Sequence, residues 1–176
     1  MSKMSKLKIL IFLIFFLFST SFSFRTYNLE LSTYSRDHFT RLTNLIGVEI
    51  NSVDVPVHEF DNLSEFTQVT GAPFFICAFT TKEGVFIQSR YLLGSKFEDS
   101  LIHELIHYTI KSEYPVPGWF EEGLVCLVTG ELENSSGISP MNNVEEFDIL
   151  EAQNNWELTS YALGCVKKVK ELLDEN

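Results

Sequence analysis

The sequence predicts an α+β fold, in which a small, mostly antiparallel sheet is followed by a helical C-terminal part. Two observations support this prediction. Between residues 24 and 91, short stretches rich in β-branched and aromatic residues are bounded by turn residues. From residue 95 onwards, apolar residues recur at helical spacing, and prolines separate the segments. Strands that precede a run of helices are typical of the α+β class.

The N-terminal residues 1–23 have the pattern of a secretory signal peptide. Three lysines and no acidic residue stand in the first eight positions, an unbroken apolar run follows at 9–18, and small polar residues at 19–23 precede a cut. The apolar run is shorter than the roughly 20 residues of a spanning helix. We therefore expect one exported domain, residues 24–176, secreted or otherwise extracytoplasmic. An uncleaved segment would instead anchor the chain in a membrane.

The charge of the chain excludes some partners. The formal net charge is −11, and it becomes −14 without the three N-terminal lysines. Nucleic acids and anionic lipids both require clustered Lys and Arg, so we expect neither nucleic acid nor a stable membrane partner beyond the signal peptide.

The three cysteines stand in apolar surroundings, which favours buried free thiols. The alternative is one disulfide, for which Cys126 with Cys165 is the first choice because both lie on predicted C-terminal helices.

The segments before the hairpin alternate between strand and helix patterns. Residues 24–31 alternate loosely and predict a first strand. Residues 34–46 have apolar positions at helical spacing, and Gly47 ends that helix. Residues 48–57 are β-rich, but Pro56 indicates an edge strand or a strand end because proline cannot donate to the ladder.

A β-hairpin is predicted directly before the longest helix. Residues 61–66 indicate a short helix or turn, closed by Gly71. The strongly apolar residues 73–81 and the stretch from 85 to about 91 are separated by the turn Lys82-Glu83-Gly84. Two strands joined by so short a turn pair with each other.

The helix after the hairpin is predicted from residue 96 to about 111. Ser95 and Glu98 have the spacing of a capping box, which places the helix start. Apolar residues then recur along one side and beside it, so that the helix is largely buried: Phe97, Leu101, Ile102, Leu105, Ile106 and Tyr108.

This helix contains the motif H-E-x-x-H at residues 103–107. Its two histidines, His103 and His107, stand at i and i+4 and face the same side, where two imidazoles can bind one Zn²⁺. Glu104 is close enough to act on a metal-bound water without being a ligand. Zn²⁺ lowers the pKa of such a water to about 7, and the carboxylate takes its proton.

Helices and one polar loop make up the remaining chain. Pro115 and Pro117 forbid continuation of the metal helix, so the chain turns before a second helix at 119–127. Residues 131–143 are a polar loop, 144–152 a predicted short helix, and 158–173 the last helix.

A catalytic zinc site takes three protein ligands, and the third here is expected from Glu121 or Glu122. Either residue could reach the metal from a helix that folds back on the first. Gly123 removes a side chain where these two helices must approach closely.

The stretches HELIH (103–107) and PGWFEEGL (117–124) together resemble the gluzincin zinc metallopeptidases. They are most similar to the small peptidase MA-like domains, whose pattern is H-E-L-x-H followed by P-x-W-[FL]-x-E-G-L-A. The resemblance covers residues 97–128 and implies a zincin-like fold with zinc ligands His103, His107 and Glu122. It also implies that Glu121 is a solvated helix residue.

Other zinc classes fit the sequence less well. The metzincin pattern requires Gly and His where Ile110 and Glu113 stand. The thermolysin-like pattern has an Asp where Cys126 stands, so a carboxylate that orients a ligand histidine is not identified. Val125 also stands where the resembled domains have Ala.

The resemblance implies two further roles. The stretch 73–79 would be an edge strand that pairs with extended substrate, with an ordinary core strand as the alternative. Tyr161 would stabilise the oxyanion of the reaction, with a packed helical tyrosine as the alternative.

The expected function is hydrolysis of peptide bonds outside the cytoplasm by zinc-activated water. Glu104 would be the general base, and a peptide or protein the substrate. The alternative from another class is an exported interaction protein that binds zinc on the same scaffold without cleaving. A third possibility is a structural domain with a chance motif.

Overall fold

The computed structural model describes residues 24–30, 36–47, 54–133 and 135–174. The predicted signal peptide lies outside these residues, as do most of the predicted strand residues 48–57. Among the helices that are described, none combines the length and the apolar character that a membrane crossing requires.

The described residues form four strands, six α-helices and two short 3₁₀ turns. In chain order the elements are β1 (Phe24–Glu30), α1 (Arg36–Ile46), β2 (Asp54–Phe60), α2 (Leu63–Thr70), β3 (Ala78–Thr81), β4 (Gly84–Gln88), α3 (Arg90–Leu93), α4 (Lys96–Glu113), α5 (Gly118–Thr129), the turns Val144–Glu146 and Ile149–Glu151, and α6 (Asn155–Asp174). The fold is therefore α+β, and the predicted strands and long helices are present.

The four strands form one small mixed sheet in the order β1-β2-β4-β3. β1 and β2 are antiparallel, with Phe24 opposite Phe60, and β3 and β4 form the predicted antiparallel hairpin. The pair β2–β4 is parallel, with Val57 opposite Val85. The sequence did not predict this parallel pair. It is possible because the chain between β2 and β4, which includes α2 and β3, forms the crossover that parallel strands need.

Pro56 lies in an internal strand, so its predicted place at the edge of the sheet is wrong. β2 pairs with β1 on one side and with β4 on the other. Pro56 stands opposite Asn28 of β1, but the pairing with β4 begins one residue later, at Val57. The proline is tolerated because it precedes that ladder, where its missing N–H costs no hydrogen bond.

Two apolar clusters bury most of α4, the helix that contains the motif. On one side Phe97, Leu101 and Leu105 pack against the sheet. On another side Ile106 and Ile110 belong to a cluster with residues of α1, α5 and α6, among them Leu42, Leu124 and Val169. Full burial of such side chains contributes about 1.5–3 kcal/mol each. The helix is thus fixed from two directions, and the histidines lie on the remaining side.

The predicted capping box at the start of α4 does not form. Ser95 has helical backbone angles (φ −66°, ψ −19°), and its side chain makes no capping hydrogen bond. Glu98 instead pairs with Arg90 at 2.5 Å. The short helix α3 runs almost directly into α4 and leaves Ser95 inside a turn. The start at Lys96 was predicted correctly, but burial of Phe97 accounts for it better than a cap does.

Gly123 marks a close crossing of α5 with α6, not with α4 as predicted. A Cβ atom at this position would lie 2.6 Å from Val169 Cγ2 and 2.7 Å from the carbonyl oxygen of Cys165. Both distances are shorter than any van der Waals contact, so only glycine fits without a shift. The close crossing sets the position of α5, and with it the position of the two glutamates that precede Gly123.

The segment after α5 departs from the predicted short helix at 144–152. It forms two 3₁₀ turns separated by Phe147 and Asp148, and Phe147 has extended backbone angles. The Phe147 ring stacks on Tyr161 of α6, with ring centroids 4.8 Å apart. This packing holds the backbone out of a continuous helix. The three cysteines are free, as favoured, but only Cys126 and Cys165 have the predicted burial, since Cys77 is half-buried.

Candidate metal centre

Three donor atoms converge at the motif: His103 Nε2, His107 Nε2 and Glu122 Oε2. The two histidine nitrogens are 3.0 Å apart. Glu122 Oε2 lies 3.1 Å from His107 Nε2 and 3.8 Å from His103 Nε2. Bonds of about 2.0–2.1 Å at tetrahedral angles separate zinc ligands by roughly 3.3 Å. The spacing of these three atoms therefore fits a zinc ion with one open position.

The local folding explains why these residues meet. The histidines share one face of α4 because they are one helical turn apart. The two prolines after α4 interrupt the helix, and the chain re-enters a helix at Gly118. Packing of α5 on the same apolar cluster as α4 then directs Glu122 towards the histidines.

Glu121 contributes the carboxylate that orients His107. Its side chain is hydrogen-bonded to His107 Nδ1, and the residue is only 4% exposed. Because a carboxylate accepts the Nδ1 proton, a neutral His107 has its lone pair on Nε2, where a metal would bind. The prediction of a solvated Glu121 is therefore wrong. Both glutamates of the pair serve the site: Glu122 faces the donor nitrogens, and Glu121 contacts the opposite side of the His107 ring.

A second carboxylate, which the sequence analysis missed, lies beside His103. Glu131 Oε1 is 2.9 Å from His103 Nδ1, although the ring N–H is not aligned for a hydrogen bond. Glu131 follows directly after Gly130, whose left-handed backbone (φ 72°) ends α5. The turn that this glycine makes brings Glu131 back to the histidine. In the sequence, only the glycine at the end of this helix indicated that the chain turns back there.

Cys126 lies between the carboxylates of Glu122 and Glu131. Its Sγ is 3.0 Å from Glu131 Oε1 and 3.5 Å from Glu122 Oε1, so its single S–H can donate to one of these carboxylates at a time. Burial and the two negative charges raise the pKa of the thiol. Cys126, Glu131 and His103 form a second possible donor group, but it shares His103 with the first. A neutral imidazole has one free lone pair, so it serves one of the two groups at a time.

The protons of the metal-free site are shared between the histidines and the carboxylates. Burial alone would lower the pKa of His107, but hydrogen bonds to Glu121 and Glu122 raise it to about 10. Burial would raise the pKa of Glu122, but its hydrogen bond to His107 and the nearby histidine charges lower it to about 2. Without metal the site is therefore an ion pair between imidazolium and carboxylate. A dication can take the place of that proton because the carboxylates already compensate a positive charge.

Glu104 lies beside the donor group but is not a member of it. It is 8% exposed and contributes to the wall of the same cavity as the three donor residues. Its carboxylate oxygen Oε2 is 2.5 Å from Thr80 Oγ1 of β3. Glu104 therefore lies next to the candidate donor atoms and outside their group, and its role as general base stays a prediction.

A cavity of about 540 Å³ opens in front of the donor group. One wall comes from the hairpin and the segment before it, including Phe75 and Phe79. The opposite wall comes from the 3₁₀ turns and α6, including Phe147, Ile149 and Tyr161. The volume and the largely apolar walls are in the usual range for a ligand site.

β3 is an edge strand of the sheet and borders this cavity. The strand spans 78–81, shorter than the predicted apolar stretch 73–81. Gln88 N donates to Cys77 O, so the alternation of antiparallel pairs directs the backbone N–H and C=O groups of Ala78 and Thr80 away from β4. Of the predicted stretch 73–79, only Ala78 and Phe79 lie in this edge strand, and Ala78 also belongs to an apolar core cluster, so pairing with substrate stays a prediction.

Tyr161 lies in the cavity wall, 5% exposed. Its ring stacks on Phe147, and Cys165 lies near its hydroxyl. Burial and the nearby cysteine and glutamates raise the pKa of the hydroxyl well above its usual value. The residue is thus packed and also close to the donor group, so its predicted role stays a prediction.

No protein-family profile, no curated protein and no solved structure matches this chain. Support for a function therefore comes from the arrangement of the residues themselves.

Proposed function

We propose that the protein is a zinc-dependent peptidase of the gluzincin type, with a zincin-like arrangement of its α+β fold. One observation carries the proposal. The donor atoms of His103, His107 and Glu122 converge at the spacing of zinc ligands, with the carboxylate of Glu104 beside them in the wall of one cavity.

The donor set fits a catalytic rather than a structural zinc site. Two imidazoles and one carboxylate leave a fourth position open, whereas structural sites are closed by four protein ligands, usually with cysteines. Zn²⁺ bound there would polarise the scissile carbonyl and make a water molecule acidic. Glu121 holds His107 in the tautomer that binds a metal.

Glu104 moves the protons of the reaction. Its carboxylate accepts one proton from the attacking water as the C–O bond forms. It then delivers that proton to the amine nitrogen as the C–N bond breaks, which leaves two peptide fragments and an unchanged enzyme. Its burial keeps bulk water from competing for this proton.

The cavity walls supply the other functions of a peptidase. The outward backbone groups of Ala78 and the outward N–H of Thr80 offer an extended peptide a strand to pair with, while the Thr80 carbonyl oxygen accepts from Lys111. Tyr161 is the candidate hydrogen-bond donor to the oxyanion, because it lies in the wall of the cavity that the donor group also lines. The substrate is a peptide or an unfolded protein segment. The signal-peptide pattern places the reaction outside the cytoplasm.

One observation favours a different function, that of an exported zinc-binding protein that does not cleave. Tyr161 is 5% exposed and its ring is stacked on Phe147, so packing alone accounts for its place in the cavity wall. In this case the domain would bind zinc and peptide through the same residues without turnover.

The variant Glu104→Gln separates these functions. Purified residues 24–176 are assayed for zinc content and for cleavage of a fluorogenic peptide library. We expect about one zinc per chain, which His103→Ala removes, and a loss of cleavage in Glu104→Gln of at least 100-fold with zinc retained.

Glu113→Gln is the matched control, since Glu113 is an exposed carboxylate on the same helix. Cleavage that survives Glu104→Gln unchanged contradicts the peptidase proposal. Zinc in the wild type without any cleavage supports the non-catalytic alternative instead. Zinc far below one per chain contradicts both.

A further inference from the structure

We propose that Thr80 is a positioning residue for Glu104, and that Lys111 joins the strand carrying Thr80 to the carboxylate that orients His107. The proposal rests on the peptidase function above and adds to it residues outside the motif. No pattern in the sequence singles out either residue.

The Thr80 side chain is buried against α4. Thr80 is 3% exposed, and its Oγ1 lies 2.5 Å from Glu104 Oε2 and 3.0 Å from the Glu104 carbonyl oxygen. A hydroxyl has a single proton to donate, and an ionised carboxylate is the stronger of the two acceptors. The hydroxyl therefore donates to the Glu104 carboxylate.

This bond fixes one oxygen of the base and leaves the other for the reaction. A glutamate side chain loses rotamer freedom when it is held in one position. The fold supplies that restraint in advance through a residue of the sheet. Glu104 lines the cavity, and its second oxygen is left for the proton that has to be accepted there.

Lys111 contacts both the strand that carries Thr80 and Glu121, the partner of the proposed zinc ligand His107. Its Nζ is 3.2 Å from the Thr80 carbonyl oxygen and 3.5 Å from Glu121 Oε1. Lys111 stands one helical turn after His107 on α4. One ammonium group thus contacts both the strand that holds Glu104 and the carboxylate that holds His107.

The location of these contacts connects substrate binding with catalysis. Thr80 directs its backbone groups to the open edge of β3, where Lys111 takes the carbonyl oxygen. A peptide paired along this edge would contact the residue whose side chain holds the base. Displacement of β3 would break the contact of Thr80 with Glu104 and the contact of Lys111 with the strand.

The test compares Thr80→Val, which removes the hydroxyl at nearly constant volume, with Thr80→Ser, which retains it. Loss of an outer-shell partner typically costs about 10- to 100-fold in activity. We expect Thr80→Val to lower kcat by that factor with KM and zinc content unchanged. Thr80→Ser should keep most of the wild-type kcat. In a crystal structure of Thr80→Val, the Glu104 carboxylate should leave its position.

Thr81→Val is the matched control on the same strand. Its hydroxyl contacts only the exposed Glu83 beside the hairpin turn, so kcat should stay at the wild-type value. Lys111→Met tests the second link without changing a core residue. We expect it to lower kcat or weaken zinc binding by less than Thr80→Val does, with Lys111→Arg closer to the wild type.

Two results would overturn the proposal while leaving the peptidase function intact. One is wild-type kcat and an unmoved Glu104 in Thr80→Val, in a protein that Glu104→Gln inactivates. The other is a Thr80→Ser variant as slow as Thr80→Val, which would show that the methyl packing and not the hydroxyl matters. If Thr80→Val does not fold, an unaltered kcat and zinc affinity in Lys111→Met overturns the link to Glu121. Failure of the peptidase proposal itself would be seen separately. The wild type would not cleave peptides, or Glu104→Gln would cleave them as fast as the wild type.

Discussion

The two histidines of the site are held in different ways. The Nδ1 partner of His107 is Glu121, a residue of α5 whose side chain is 6% exposed between packed helices. The Nδ1 partner of His103 is Glu131, which follows the end of α5 and whose side chain is 36% exposed. The first contact is an aligned hydrogen bond, whereas the second is a close approach without that alignment.

This difference divides the site into a rigid half and an adaptable half. On the His107 side, the positions of His107, Glu121 and Glu122 all depend on the packing of α4 against α5. On the His103 side, the partner depends on the path of the loop after Gly130. We therefore expect zinc affinity to be set mainly by the His107 side. Changes near residue 131 should tune the site without destroying it.

The largest expected effect comes from exchanging the two partner carboxylates for amides. Glu121→Gln removes the buried acceptor of His107 and should weaken zinc binding by about 10- to 100-fold. Glu131→Gln should weaken it less, because its contact is exposed and poorly aligned. Titration with a competing chelator measures both dissociation constants. Equal losses in the two variants would remove the distinction between the halves.

A substitution in α5 tests whether helix packing fixes the rigid half. Gly123→Ala places a methyl group against backbone atoms of Cys165 and should lower the free energy of unfolding by about 1–3 kcal/mol. Gly118→Ala is the matched control on the same helix, since its methyl group meets no atom within 4 Å. We expect that control to be neutral or slightly stabilising. Urea denaturation of the metal-free proteins measures both changes.

The pH dependence of the metal-free protein should reflect the stronger charge pairing around His107. Its pKa is raised from 6.5 to about 10 in the folded state, so its contribution to stability is complete below pH 6.5 and is lost as the pH rises towards 10. The pKa of His103 is also raised, with burial opposing and Glu131 favouring the charged form.

Urea midpoints with a chelator present, measured across this pH window, should therefore fall as the pH rises. His107→Asn should flatten the curve more than His103→Asn does. A curve that is flat in the wild type would contradict the pairing of His107 with its carboxylates. The folded protein should also bind zinc more tightly as the pH rises, because the metal displaces the histidine proton.

The smallest effects concern the helix starts. Asn62 accepts hydrogen bonds from the backbone of Ser64 and Glu65 at the start of α2, so Asn62→Ala should cost about 1 kcal/mol. Ser95 makes no such bond at the start of α4, and Ser95→Ala should stay within about 0.5 kcal/mol of the wild type. A large loss in Ser95→Ala would mean that a cap, and not burial, holds the helix that carries both histidines.

Local patterns in the sequence predicted the features that depend on neighbouring residues. The hairpin before α4, the helix through His103 and His107 and the break at the two prolines follow from short-range periodicity and turn chemistry. The convergence of Glu122 on the histidines followed from a motif, and the geometry agrees with it.

The missed features depend on distant packing. Glu121 and Glu122 are adjacent, and only the rotation of α5 on its neighbours decides which histidine atom each one meets. Glu131 required knowledge of a loop path, and the parallel pair β2–β4 joins strands that share no local signal. Ser95 had the correct cap sequence, but the preceding helix α3 placed it in a helical turn.

The Cys77 thiol gives chemical access to the cavity without any engineered residue. It is half-buried in the cavity wall, whereas Cys126 and Cys165 are buried. A thiol-reactive fluorophore or spin label should therefore attach at Cys77 before the other two, at a pH above neutral because burial raises the pKa of this thiol. A reporter at this position would respond to peptide entering along β3, and Cys77→Ser would supply the unlabelled reference.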